Sequence, residues 1–230
     1  KVSVEGCVSA TAPNENTIWT DVLITSDVQP DSDNFFDIDT NEAFTHLRLN
    51  IFPDGGVARL RVYGEPVINW DWFLPGEPID LAYVKNGGRP IECTDMFFSN
   101  MENLIMPNRG KDMGDGWETK RRRGGRESDW IIVKLGAIGN IKKVVVDTAH
   151  FKGNFPDTFS LEAVKLEEGE TPNDKTVWEA VIGREKLTAD AEHFYKDEVV
   201  SGDACFSHVR LSMYPDGGIS RLRVFGFPVQ

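Results

Sequence analysis

Apolar and polar residues alternate along two similar stretches of the chain, residues 45–66 and 207–228. A period of two is typical of a half-buried β-strand, because successive side chains of a strand point to opposite faces. Each stretch is interrupted by Pro-Asp-Gly-Gly, which is typical of a turn, since proline fixes φ, aspartate caps the turn and glycine tolerates positive φ. The pattern therefore predicts an antiparallel hairpin in each stretch.

Closing each hairpin around its turn gives a specific register. In the first stretch, the predicted opposite pairs are Phe52–Val57, Asn50–Arg59, Arg48–Arg61 and His46–Tyr63. The other face of the same strands carries apolar residues and is predicted to be a core face. In the second stretch, the polar face carries His208, Arg210, Arg221 and Arg223.

These arginines have two interpretations. They could form a cationic patch that binds a small carboxylate, for which the planar donor fork of arginine is suited. Alternatively, they are half-buried and paired with acidic residues of the same domain. Like charges directly opposite across two strands are unfavourable and need an anion nearby. The occurrence of the pattern in both stretches favours the structural interpretation.

The two stretches are copies of one another, with 13 of 22 positions identical at an offset of 162 residues. Weaker matches precede them in the same order: residues 2–5 match 159–162, and residues 17–19 match 176–178. An ordered series of matches at slowly drifting offsets predicts two copies of one domain, separated by loop insertions.

The repeat also predicts domain limits. We expect residues 1–66 to be the C-terminal part of the first copy, 67–76 to be an ordered linker, and 77–230 to be the second copy. Residue 1 then falls in the middle of a repeat. A sandwich that began there would leave strand edges unpaired, so we expect the natural chain to extend further upstream.

Composition narrows the class of protein. The 230 residues are 40% hydrophobic and 27% charged, which excludes a disordered or collagen-like chain. The net charge of −12 argues against a nucleic-acid or anionic-membrane partner, because phosphate contacts need a basic surface. Three cysteines without short spacing predict neither a disulfide framework nor a zinc ribbon. We expect a cytoplasmic protein rich in β-structure.

Residues 108–130 form the densest run of charged residues and glycines, and they predict a loop. Strand-like runs follow at 130–135 and 144–147. A loop of acids and bases between strands is a common position for catalytic groups, although a solvated charged turn has the same composition. The usual signatures of serine hydrolases, zinc proteases and nucleotide-binding proteins are absent from the sequence.

Three motifs together resemble the allantoicase (allantoate amidinohydrolase) family: DMGDGWETKRRR at 112–123, DTAHFKGNFP at 147–156, and the duplicated H-x-R-L-x-x-x-P-D-G-G-x-x-R-L-R-V stretch. The resemblance covers essentially the whole chain. It implies an all-β fold of two tandem jelly-roll β-sandwich domains of the galactose-binding-like kind, the first represented only by its C-terminal part.

The reaction implied by this resemblance is the hydrolysis of allantoate to ureidoglycolate and urea in purine degradation. This is a reaction of hydrolases that cleave C–N bonds in linear amidines. The alternative is a non-catalytic or inactive ligand-binding module of the same fold, because fold does not decide function.

The implied reaction assigns candidate roles. Departing urea needs an acid and water needs a base, for which we predict Glu118, His150 and Asp115. The predicted substrate-binding residues supply cations for the carboxylate and polar groups for the ureido groups: Arg121, Arg122, Arg123, Asp147, Asn154, His208 and Arg210. Metal ligands are unknown, although a divalent cation such as Mn²⁺ could assist. The expected partners are allantoate and further copies of the chain in a homo-oligomer.

Overall fold

A computed structural model describes residues 1–68, 73–124 and 127–229 and separates into two compact units, Lys1–Gly64 and Glu65–Gln230. The predicted linker includes residues 69–72, which lie outside the described residues, so the predicted domain limits stay a prediction. No helix in the described part of the chain is long and apolar enough to cross a membrane.

The first unit is a three-stranded antiparallel sheet. Its strands are β1 (Val2–Cys7), β2 (Thr20–Ser26) and β3 (His46–Ile51). β1 is the central strand, with β2 on one side and β3 on the other. The buried side chains of this sheet come mainly from β1, where Val2, Val4 and Cys7 are at most 7% exposed.

The second unit contains ten strands and three short 3₁₀ turns within its described residues. The strands are β4 (Ile79–Asp80), β5 (Arg89–Cys93), β6 (Trp117–Glu118), β7 (Asp129–Asp147), β8 (Thr158–Val164), β9 (Glu179–Lys186), β10 (Glu192–Tyr195), β11 (Cys205–Tyr214), β12 (Gly218–Ile219) and β13 (Arg221–Pro228). The 3₁₀ turns are Val84–Asn86, Met101–Ile105 and Met113–Asp115.

The 19-residue strand β7 is shared by two halves of this unit. Its first part pairs with β5 and β11, and its last part pairs with β10 and β13. β8 and β9 continue the first half, whereas β4 continues the second. Gly136 lies in the first part, where the pairing with β11 shifts register between Lys134 and Gly139. A Cβ atom there would stand 1.6 Å from the carbonyl oxygen of Asn86, so the close backbone approach requires glycine. The sequence predicted two separate strands here, and the structure joins them.

The two halves enclose one apolar core. The alternation predicted from the sequence is confirmed in this unit, because every second residue of the long strands points inward. Side chains with 0% exposure include Ile131, Val133, Val144, Val146, Val209, Leu211, Leu222 and Val224. Burial of this apolar surface is the main favourable term in folding. The predicted all-β sandwich fold is thereby confirmed.

The predicted hairpins are wrong. β11 and β13 lie on opposite edges of β7 and pair with β7 instead of with each other. The turn at Pro215–Gly218 carries the chain from one half of the sandwich to the other, where β12 pairs with β6. In the first unit β3 pairs with β1, and residues 52–64 form no strand in the described structure. A turn sequence fixes a change of direction, but the available partner decides the pairing.

Candidate functional site

The Pro-Asp-Gly-Gly turn of the second unit holds the two other motifs together. A carboxylate oxygen of Asp216 accepts the backbone N–H of Arg122 at 2.7 Å, and Gly218 N–H donates to the carbonyl oxygen of Asn154 at 2.9 Å. A Cβ atom at Gly218 would stand 1.9 Å from the ring of Phe151, so glycine is required at this contact. The turn therefore places residues 112–123 beside residues 147–156.

Glu118 and Asn154 meet at this junction. β6 pairs with β12, which sets Glu118 opposite Gly218. Asn154 Nδ2 donates a hydrogen bond to Glu118 Oε1 at 2.5 Å. The neighbours Trp117 and Thr119 are buried, whereas Glu118 is partly exposed on the opposite face of the strand. The structure thus brings together two of the predicted site residues and leaves the Glu118 carboxylate accessible.

The basic side chains that directly follow Glu118 in sequence line a depression. We call it the arginine pocket, about 350 Å³ in volume and lined by Thr94, Asp95, Lys120, Arg121, Arg122, Arg123, Gly124 and Asp129. Arg121 and Arg123 are exposed. The guanidinium of Arg122 instead pairs with the fully buried carboxylate of Asp129. Burial acts to raise the pKa of Asp129, but hydrogen bonds from Arg122 and Thr94 outweigh it and the pKa lies below its usual value.

His150 is held at the end of β7 by its backbone. Its φ is +70°, a left-handed conformation that is uncommon for a residue with a side chain. Its N–H donates to a carboxylate oxygen of Asp190 at 2.7 Å, and its ring Nε2 lies 2.8 Å from the carbonyl oxygen of Gly110. The imidazole therefore lies against the charged loop of residues 108–130.

Asp115 is engaged in holding the charged loop. Its Oδ2 accepts the backbone N–H of Lys111 at 3.0 Å and a guanidinium N–H of Arg221 at 3.1 Å. Burial acts to raise the pKa of Asp115, but the hydrogen bonds and positive charge of these two partners outweigh it. The pKa of Asp115 therefore lies below its usual value. Arg221 is 3% exposed and also donates to the backbone carbonyls of Asn108, Asp115 and Ser220. Asp115 and Arg221 thus fasten the loop to β13.

A second depression lies on the outer face of β13, β7 and β10. We call it the sheet cleft, about 440 Å³ in volume and lined by Asp80, Tyr83, Asn108, Arg109, Lys143, Val145, Asp147, Glu192, Phe194, Arg221, Arg223 and Phe225. The lining residues of the three strands form rows across the sheet. In one row Asp147 lies between Arg221 and Glu192. In the next row on the same face, Val145 lies between Arg223 and Phe194. Among the described residues, its lining shares no member with that of the arginine pocket.

Asp147 lies at the charged end of the sheet cleft, and its side chain is 3% exposed. Its two carboxylate oxygens accept Arg109 Nε at 2.8 Å and Nη2 at 2.9 Å. These hydrogen bonds raise the pKa of Arg109 above its usual value. Sequence reasoning missed Arg109, although it lies in the charged run. The available signal was its position in the charged, glycine-rich run, directly before Gly110.

Asp80 is a second residue of the sheet cleft that the sequence did not single out. Burial raises its pKa to about 6, against the hydrogen bonds from Val224 and Ala82 and the charge of Arg223. Arg223 Nε lies 3.7 Å from Asp80 Oδ2, and its remaining donors bind backbone carbonyls of the loop at residues 105–108. A carboxyl group with a pKa near neutrality in a cleft is suited to proton transfer.

The structure places the last two predicted residues elsewhere, on β11. His208 is 2% exposed, its Nδ1 lies 2.9 Å from the Ser207 hydroxyl, and burial lowers its pKa to about 4. Arg210 donates to Glu162 at 2.7 Å and stacks on Trp178 at 4.6 Å. Neither belongs to the described lining of the two depressions. Arg210 has the acidic partner that the structural interpretation of the stripe predicts.

The same side chains do not form a metal site by themselves in the described part of the chain. Among residues 1–68, 73–124 and 127–229, no group of three or more His, Cys, Asp or Glu side chains is placed to hold a metal ion. Three of the acidic groups, Asp115, Asp129 and Asp147, are instead paired with arginines.

Comparisons with known proteins agree with the motifs. A family model described as the allantoicase repeat matches residues 1–67 and 79–229. Probable allantoicases of Photobacterium profundum and Pseudomonas syringae pv. syringae are 48% and 46% identical to the chain, over 98% and 97% of it and 69% and 68% of their own lengths.

Solved structures lead to the same family. A crystal structure of allantoicase from Saccharomyces cerevisiae matches with a TM-score of 0.79 and 37% identity, over 98% of this chain and 67% of that one. A second allantoicase structure matches with a TM-score of 0.82 and 36% identity, over 98% and 68%. The duplicated motif, the joining of residues 112–123 to 147–156 and these matches have one explanation: the chain belongs to the allantoicase family.

Proposed function

We propose that this protein hydrolyses allantoate to ureidoglycolate and urea. The observation that carries the proposal is the match to the allantoicase repeat over residues 1–67 and 79–229. The hydrogen bond between Asn154 and Glu118 supports the second unit as the site, because it joins the two most family-specific motifs at one partly exposed carboxylate.

The reaction exchanges one bond for another at the central carbon of allantoate. The hydroxyl group of water bonds to this carbon, one C–N bond breaks, and a proton reaches the nitrogen of the departing urea. We propose Glu118 and His150 as the pair that moves the protons. Asn154 donates to Glu118 Oε1 and orients the carboxylate, while no hydrogen bond from a described residue reaches Oε2, which is left for water or substrate.

Substrate binding is proposed for the exposed cations after Glu118. Arg121 and Arg123 can donate to the carboxylate of allantoate, and Asn154 can contact a ureido group. Arg122 pairs with Asp129 and Asp115 pairs with Arg221, so both act by positioning the loop. His208 and Arg210 have no part in this proposal, because their partners are Ser207 and Glu162.

The first experiment measures urea release from allantoate by the full chain. We expect turnover by the natural protein, and a fall in kcat of about a hundredfold or more in Glu118→Gln and His150→Ala, since a positioned acid or base contributes about 10²–10⁴ to the rate. Glu127→Gln is the matched control, because Glu127 is exposed and pairs only with Arg184 among the described residues. Near-normal kcat in both site variants would move the active site elsewhere.

Two predictions of the sequence are tested alongside. Urea release measured with a chelator and with added Mn²⁺ shows whether a divalent cation assists the reaction. Such a cation would need ligands from the substrate, because the described side chains do not form a metal site alone. Light scattering measures the predicted homo-oligomer. Allantoate binding without any urea release would instead support a non-catalytic module.

A further inference from the structure

The charged end of the sheet cleft carries a donor and an acceptor side by side. Arg109 uses Nε and Nη2 on Asp147, and no hydrogen bond to a described residue uses its Nη1. Glu192 Oε2 lies 3.9 Å from Arg109 Nε, too far for a hydrogen bond. The side chains of Arg109 and Glu192 are 53% and 40% exposed. Both groups therefore have unused hydrogen-bonding capacity that faces solvent.

Asp147 keeps this arrangement fixed. Its side chain is 3% exposed, so it cannot readily contact a ligand itself. Its Oδ1 also accepts the backbone N–H of Ala149 at 2.9 Å, which ties the carboxylate to the end of β7. Because a bidentate pair of this kind restricts the guanidinium plane, Asp147 fixes Arg109 with its Nε 3.9 Å from Glu192 Oε2 and its Nη1 donors unused by described residues.

The floor next to this pair is apolar, and a lysine lies towards its far end, in the same row as Phe225 and Asp80. Phe194 is 63% exposed and lies opposite Val145, one row along the cleft from Glu192 and Asp147. Lys143 follows on the same face of β7, with its Nζ 4.1 Å from the ring centre of Phe225. Lys143 precedes Asp147 by four residues of β7, a Cα span of about 13 Å. The long side chains of Arg109, Glu192 and Lys143 reach into this span.

We propose that the sheet cleft binds a ureido acid, with the ureido group on Arg109 and Glu192 and the carboxylate towards Lys143. A ureido group has a carbonyl oxygen for the Arg109 donors and an adjacent N–H for the Glu192 carboxylate. The choice of a ureido compound among ligands with this donor–acceptor edge rests on the proposed function. Asp147, predicted from the sequence to contact substrate, is here a positioning residue for Arg109.

The test is binding of N-carbamoylglycine to the full chain by calorimetry. This compound has one ureido group and one carboxylate but lacks the second C–N bond of allantoate, so its binding is independent of turnover. N-acetylglycine has the same charge and replaces the terminal NH₂ by a methyl group. We expect the natural protein to bind N-carbamoylglycine about tenfold or more tightly than N-acetylglycine, because a hydrogen bond to a charged group discriminates by that factor.

Variants assign the effect to the cleft. Glu192→Met should abolish the preference for N-carbamoylglycine without disturbing Asp147, and Arg109→Met should weaken binding of both compounds. Arg109→Met leaves Asp147 without its partner and can fail to fold, so Glu192→Met and Asp147→Asn keep the proposal testable. The matched control is Arg89→Met, since Arg89 is 52% exposed and pairs with Glu65 at 3.2 Å.

The outcomes separate this inference from the proposed function. Loss of the preference in Glu192→Met with normal binding in Arg89→Met supports it. Absence of binding in the natural protein, an unchanged preference in Glu192→Met, or loss of binding through Arg121→Met alone would overturn it. Urea release from allantoate by the natural protein is measured in parallel, so that a failed binding test and a failed reaction are recorded independently.

Discussion

The two copies of the repeated stretch have the same sequence pattern and only partly the same structure. In the first unit, Val2 pairs with Ile51 and Glu5 with Arg48. Their counterparts in the second unit, Phe159 with Met213 and Glu162 with Arg210, pair in the same register. The four side chains Glu5, Arg48, Glu162 and Arg210 even form equivalent ion pairs, at 2.9 Å and 2.7 Å.

After the turn the copies diverge. Leu222 and Val224 lie in β13 and are fully buried, because β7 and β4 flank that strand. Their counterparts Leu60 and Val62 are 48% and 57% exposed, and no described strand lies beside them. Identical residues are thus buried in the second unit and exposed in the first. The difference shows that partner strands, rather than local sequence, give these side chains their role.

The largest expected difference between the copies is in core packing. Leu222→Ala should lower the free energy of unfolding of the second unit by about 2–5 kcal/mol, since it leaves a cavity in a closed core. Leu60→Ala should change stability by no more than about 0.5 kcal/mol, because its side chain is already half exposed. Denaturant unfolding of both variants measures this. Equal losses would mean that residues 57–64 have a buried environment in solution.

A second, smaller difference is expected at the turn. Gly218→Ala should cost about 1–3 kcal/mol, because the new methyl group overlaps the ring of Phe151 and overpacks the junction. Gly56→Ala meets nothing within 4 Å, and the loss of unfolded-state entropy predicts a gain of up to about 1 kcal/mol. Melting temperatures of the two variants decide the point. A tolerated Gly218→Ala would break the argument that this turn joins the motifs.

The smallest expected effect tests the similarity of the copies. Arg210→Met should lower stability by about 1 kcal/mol or less, the sum of a partly exposed ion pair and stacking on Trp178. Arg48→Met should have a matching effect, because Arg48 pairs with Glu5 and lies 4.3 Å over the Trp19 ring. Urea release should be normal in both. A collapse of kcat in Arg210→Met alone would restore Arg210 as a substrate ligand.

The sequence by itself determined the β-class, the duplication and the inward faces of the strands in the second unit. These features are local or periodic, and alternation with period two survives any choice of partner strand. The sequence also identified the two motifs that meet at Glu118 and Asn154. A motif can be identified from its residue types alone, without knowledge of its position in the fold.

Only the tertiary structure decided which strands pair and which charged groups are free. The turn at residues 215–218 was predicted, but β13 pairs with β7, whose residues lie 74–89 positions earlier in the chain. The tertiary structure also decided which charged groups have partners. Three arginines are paired with acidic residues: Arg122 with Asp129, Arg210 with Glu162 and Arg221 with Asp115. Glu192 and Arg109 instead line the sheet cleft. Partners that are distant in sequence leave no local pattern, so their effect on pairing, burial and charge is set only when the chain is packed.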